Sequence, residues 1–119
     1  MDMTPAPLKP PVGGDALDRL DLRIGTILDV SDVEGAARLV RLGVDFGDRV
    51  RTVVVGMKQE RENPAEVRGR QALFIVNLEP RRIRGVLSEA MLVDAGYQDG
   101  ITPALLCPER PVPAGTRAG

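Results

Sequence analysis

The sequence contains no histidine and no tryptophan, and it has one cysteine and one tyrosine. Without histidine, Cys/His zinc sites and serine–histidine nucleophilic relays have no material to be built from. A single thiol, Cys107, cannot make an internal disulfide framework, and its expected role is that of a buried small hydrophobe. Aromatic residues are 3% of the chain, namely Phe46, Phe74 and Tyr97. The two phenylalanines fall on apolar faces, so a platform for stacking single-stranded bases is hardly available. No run of eighteen apolar residues occurs, which excludes a membrane-spanning helix. The proline-rich start, Met1 to Pro11, lacks the basic-then-apolar layout of a secretory signal, so a cytoplasmic location is expected. Asp45/Asp48 and Glu60/Glu62 sit beside arginines in expected turns and read as solvated partners rather than a tuned acid and base. Gly13-Gly14 ends a proline-rich tail and is no nucleotide fingerprint. Neither an enzyme nor a metal or cofactor site is expected.

What the chain does have is arginine. All but Lys9 and Lys58 of its 16 cationic residues are arginine, against 17 acidic ones, for a net charge of −1. The charge is unevenly distributed: residues 38–84 carry eleven cations against six acids, while the segments on either side are net negative. A basic face on an acidic body would steer a polyanion to one side. The densest cluster is Asn77-Leu78-Glu79-Pro80-Arg81-Arg82-Ile83-Arg84-Gly85, followed by Ser88-Glu89-Ala90-Met91. Three guanidiniums within four residues, with proline in front and glycine behind, are costly to bury and can face phosphate at little cost. Taken alone, the cluster reads first as a solvated surface turn.

Periodicity predicts strands. Leu22, Ile24, Leu28 and Val30 alternate with Asp21, Arg23 and Asp29, which places the even positions inside a half-buried first strand. Val40, Leu42, Val44 and Phe46 face one way in a second, and Gly47-Asp48 turns the chain into a third from Val50 to Val55. Asn63-Pro64 predicts a short helical turn. Ala72–Val76, Val86–Val93 and Ala104–Cys107 complete the strands, with Met91 in the core. The pattern predicts an all-β chain: an OB-fold, a five-stranded Greek-key barrel with one short helical turn between strands three and four, spanning residues 18–119 behind a flexible arm over 1–17. Gly25 and Gly43, both mid-strand, are the expected sites of bends or bulges.

Four motifs in order resemble the tRNA-binding domain family, found as free-standing bacterial proteins, at the C-terminus of many methionyl-tRNA synthetases, and in the related CsaA proteins. They are Asp21-Leu22-Arg23-Ile24-Gly25; Val44-Asp45-Phe46-Gly47; Val54-Val55-Gly56-Met57 with Pro64-Ala65-Glu66-Val67-Arg68-Gly69; and the arginine cluster with Ser88-Glu89-Ala90-Met91. The sequence departs at Glu34–Leu39, which stands where the family usually carries a His-Pro-x-Ala-Asp-x-Leu loop, and at Ala90, where glycine is common. Ser88-Glu89 is similar to the CsaA branch, whereas its Lys-Gln-Ser-Ser-Ala-Gln stretch is missing and only Lys58-Gln59 echoes it. The resemblance implies non-catalytic binding of tRNA through shape and phosphate contacts. Arg81, Arg82 and Arg84 would form the phosphate face, with Arg23 beneath them and Lys58, Asn77 and Ser88 supplying neighbouring hydrogen bonds. Arg23 could instead pair with Asp21 or Glu89, Asn77 could only satisfy backbone at a strand end, and Ser88 could be an ordinary strand residue. It further implies a homodimer, with an aminoacyl-tRNA synthetase as possible partner. The alternative is a CsaA-like export chaperone that holds unfolded peptides in a dimer groove.

Overall fold

A computed structural model describes residues 2–58 and 60–119. A single helical turn, α1 (Asp15–Asp18), precedes β1 (Leu22–Asp32), β2 (Val40–Asp45) and β3 (Val50–Val55). A 3-10 turn, Pro64–Val67, leads into β4 (Gln71–Ile75), then β5 (Arg81–Ile83), β6 (Val86–Ser88) and β7 (Met91–Leu92). The short pieces β8 (Asp94–Ala95), β9 (Ala104–Leu105) and β10 (Arg117–Ala118) follow.

The main sheet runs β3-β2-β1-β4-β7, all antiparallel, and curls into a nearly closed OB-type barrel with the expected helical turn between β3 and β4. The β2–β3 hairpin forms as its alternation requires. Val40, Leu42 and Val44 are at most 2% exposed, and the Asp45 carboxylate accepts a hydrogen bond from the Gly47 amide at 2.8 Å to set the turn. Inside, Phe46 and Phe74 meet edge to face at 5.3 Å between ring centres, with Ile27, Val53, Met57 and Val67 filled in around them. Val67 comes from the 3-10 turn. Pro64 opens that turn, as its fixed φ and missing N–H favour, while the Asn63 side chain does not cap it.

Closure of the barrel is made partly by side chains. The Val54 amide donates to Ser88 Oγ at 3.0 Å, the Glu89 amide to the Thr52 carbonyl at 2.8 Å, and the Thr52 amide to Glu89 Oε1 at 3.1 Å. Arg49 Nη2 sits 2.8 Å from the other Glu89 oxygen. The carboxyl is thereby held below its usual range, first by the Arg49 guanidinium and then by the Thr52 amide. The single strand expected over Val86–Val93 is interrupted at Glu89 and Ala90, where these contacts are made. That stretch is instead two strands, β6 and β7, separated where the chain turns from the arginine hairpin back to the sheet.

The first strand corrects the expected inward face. Gly25 and Ile27 point inward and Leu28 is 45% exposed, because a β-bulge between Ile27 and Asp29 flips the alternation so that Val30 also faces the core. The bulge is carried by β1, with Gly43 across from it at Asp29, and none lies at Gly25. Gly25 is required for a close approach, since a Cβ there would collide with Val44 and the Phe46 ring, and Gly43 leaves space for the Asp29 carboxylate. Leu22 and Ile24 are apolar because the chain ends cover them. Ile24 exchanges backbone hydrogen bonds with Gly115 and Thr116, β10 pairs with Leu22 and Arg23, and Gly119 lies between Leu17 and Leu22. Two further residues differ from expectation. The last inner strand stops at Leu105, which leaves Cys107 exposed ahead of Pro108, and Met91 is 49% exposed on the rim of a groove rather than in the core.

Candidate nucleic-acid interface

The arginine cluster folds into a hairpin of β5 and β6 with register Arg81↔Ser88, Arg82↔Leu87 and Ile83↔Val86. Its loop is the two residues Arg84-Gly85, with φ of 52° and 80°. Positive φ at both positions is the signature of the type I′ turn, whose twist matches that of antiparallel strands. Glycine adopts this freely, whereas arginine does so at a cost of about 1 kcal/mol. Alternation across the strand puts Arg81 on the side of Ile83 and Arg82 on the opposite side with Leu87. Ile83 and Val86 pack against Val33, Ala36 and Val54 in a second small apolar cluster outside the barrel, so the hairpin rests on a firm base. Below it, the buried Ser88 hydroxyl accepts from Val54 and donates to the Ala90 carbonyl at 3.2 Å.

Arg81, Arg82 and Arg84 are exposed, and among the described residues none of them joins an ion pair. Two further exposed arginines, which the sequence reading did not single out, lie close by. Arg41 is the cross-strand partner of Val54, so the two share a face, and Val54 is the residue on which Ile83 and Val86 sit. Arg38 lies in the β1–β2 connection, whose Val33 and Ala36 belong to the same cluster. Period-two alternation marks Arg41 as outward facing, but only the Arg41↔Val54 register and the packing of the hairpin bring it to the other arginines.

The remaining residues named from sequence occupy structural positions. Arg23 makes a two-pronged contact with Asp21, at 2.8 Å through Nε and 3.1 Å through Nη2, and the guanidinium holds the Asp21 carboxyl below its usual range. Arg23 lies at the start of β1 beside β10, away from the hairpin, whose apolar base includes Val33 just past the end of that strand. Nearby, Arg51 stacks 5.3 Å over the Phe46 ring and grips Asp48 at 2.7 and 2.8 Å. Together with the Arg49 amide, that grip holds the Asp48 carboxyl far below the ordinary range. Lys58 Nζ is 3.0 Å from Asp32 and 3.3 Å from the Ala36 carbonyl. Asn77 accepts from the Asp21 amide at 2.8 Å and donates to the Arg19 carbonyl at 3.0 Å, tying the end of β4 to the entry of β1. Ala90 is 9% exposed and belongs to the core cluster.

Barrel and surface together define an OB-fold binding module whose connection between the fourth and fifth barrel strands, a common ligand-binding loop of this fold, carries a rigid cationic tip. Residues 22–117 match the family model described as "Putative tRNA binding domain", and the chain belongs to that tRNA-binding domain family. It is 43% identical over 106 residues to the methionine–tRNA ligase of Thermococcus kodakarensis, a match that covers 89% of this chain and 14% of the ligase, so the chain spans only a small part of that protein. Among solved structures, a MetRS related protein from Pyrococcus horikoshii superposes with a TM-score of 0.84 at 28% identity, covering 93% of this chain and 100% of the other. The chaperone CsaA of Bacillus anthracis gives 0.80 at 28% identity, covering 92% and 100%.

Proposed function

We propose that this domain binds tRNA without catalysing a reaction, reading folded RNA through phosphates and 2′-hydroxyls along a surface formed by Arg81, Arg82, Arg84, Arg38 and Arg41. The observation that carries this reading is the arginine hairpin. Its tip holds Arg84 in a costly left-handed conformation, and its guanidiniums have no carboxylate partner among the described residues. Strain kept at an exposed tip with no gain to the core points to a role outside the fold. Membership of the tRNA-binding family and likeness to a ligase that acts on tRNA support the choice of ligand. Arg23, Lys58, Asn77 and Ser88 then serve by shaping the barrel and seating the hairpin.

The cytoplasm, where tRNA is charged and used, is the corresponding location, and a synthetase is the natural partner. Apolar side chains along the N-terminal segment, Leu8 at 98% exposure and Val12 at 78%, suit a homodimer in which a second copy covers them. Two such modules on one tRNA would gain effective concentration without any new contact.

The test is a titration of total tRNA at low and physiological salt, with a variant carrying alanine at Arg81, Arg82 and Arg84. Micromolar affinity that falls steeply with salt and disappears in the variant supports the reading, since phosphate binding releases counterions. A folded protein that fails to bind at low salt overturns it. The likeness to CsaA favours a second reading, a chaperone for unfolded peptides; that activity would be nearly independent of salt and would survive the arginine changes.

A further inference from the structure

On the inner side of the arginine hairpin, between it and the β7–β8 segment, a groove of about 840 Å³ opens to solvent. Its floor is apolar, with Met57 fully buried beneath, and its rim carries Leu78 (41% exposed), Met91 (49%) and Tyr97 (74%). Large side chains left this open in one concavity mark a contact surface rather than a misplaced core.

Its charge is opposite to that of the hairpin. Glu60, Glu79, Asp94 and Asp99 line the groove against one cation, Arg81, and among the described residues none of the four carboxylates joins an ion pair. Glu60 feels this directly: burial and then the charge of Asp94 raise its carboxyl above the usual range, with Arg61 opposing. No set of three or more acidic residues among those described is close enough to hold a metal ion, so the complement is a spread of positive charge rather than one point cation.

We infer that this groove is a protein-docking site for an extended cationic segment in which lysine or arginine alternates with apolar side chains, the apolar members entering over Met57 and the cations meeting the rim carboxylates. The acids would repel RNA phosphates, so the RNA keeps to the side of Arg82 and Arg84, with Arg81 at the boundary between the two surfaces. The inference does not rest on the RNA reading and needs only one copy of the chain.

Tyr97 provides the reporter, being the only tyrosine of a chain without tryptophan. Its fluorescence is followed while three synthetic nonapeptides are titrated in, alternating leucine with lysine, with glutamine or with glutamate. The lysine peptide is expected to perturb Tyr97 at micromolar concentration, the glutamine peptide at least tenfold more weakly, and the glutamate peptide not at all. A variant carrying Glu79→Gln, Asp94→Asn and Asp99→Asn preserves shape and should bind the lysine peptide at least tenfold less tightly, while Arg82→Ala/Arg84→Ala leaves its affinity unchanged. Equal affinity for the three peptides, full retention of binding in a folded carboxamide variant, or binding that leaves Tyr97 unperturbed would each overturn the proposal. So would sedimentation showing that Met91→Asp breaks a dimer, because the occupant would then be a second copy.

Discussion

Replacing Arg84 by asparagine should move stability and RNA affinity in opposite directions. Arg84 and Gly85 have φ of 52° and 80°, the two positive values of a type I′ turn, and Asn-Gly is a favoured pair there. A left-handed conformation costs most L-residues about 1–2 kcal/mol, and asparagine recovers part of it through local hydrogen bonding of its short amide. The side chain of Arg84 makes no ion pair among the described residues, so little is lost in exchange, and a net gain of about 0.5–1 kcal/mol follows. For a domain of this size that corresponds to a rise in melting temperature of about 2–6 °C. On the proposed RNA surface, one phosphate contact is removed at the same time. A loss of about 1.4 kcal/mol weakens tRNA binding roughly tenfold, and the slope of log K against log salt should become shallower by about one. Calorimetry and fluorescence anisotropy on the same preparation read both effects. A lower melting temperature would show that the tip is not strained. A higher one with unchanged tRNA affinity would remove Arg84 from the interface.

Ser88→Ala removes the acceptor of the buried Val54 amide and the donor to Ala90, so it should destabilise the domain by about 1–3 kcal/mol in denaturant titrations. Per-molecule tRNA affinity of the folded fraction should be unchanged, and a large selective loss would return Ser88 to the contact surface. The carboxyls of Asp21, Asp48 and Glu89 all titrate lower in the folded state than their ordinary values. Their stabilising contribution is therefore complete above the unfolded carboxylate range, about pH 4–5, and is lost as pH falls through the folded values. Acid melts should show this decline, and Asp48→Asn should flatten it; an identical profile in that variant would mean the Arg51–Asp48 grip is not maintained in solution.

The second strand was legible because Val40, Leu42, Val44 and Phe46 keep one phase along its whole length and all end up inside. The first was misleading because its apolar residues serve two surfaces. Leu22 and Ile24 lie under the chain ends, Ile27 faces the core, and the bulge then shifts Val30 inward. Local alternation carries no sign of a bulge or of a covering segment ninety residues away. The arginine cluster was visible as composition, and its bounding proline and glycine marked a turn. Its β-hairpin geometry, and the company of Arg38 and Arg41, depend on Val54 packing under Ile83 and Val86, a long-range contact. Asn77 and Ser88 stood out as members of the arginine-cluster motif, not for partners of their own. The structure gives them backbone amides to satisfy, 56 and 34 residues distant in sequence.

The pairing of Leu22 with Ala118 brings the point where the barrel begins to within one strand spacing of the point where it ends. β1 leads away from that corner for eleven residues, up to about 35 Å if fully extended, before Val33 reaches the base of the arginine hairpin. The first and last strands of the barrel therefore share one corner, and the whole of β1 separates that corner from the apolar base of the arginine hairpin.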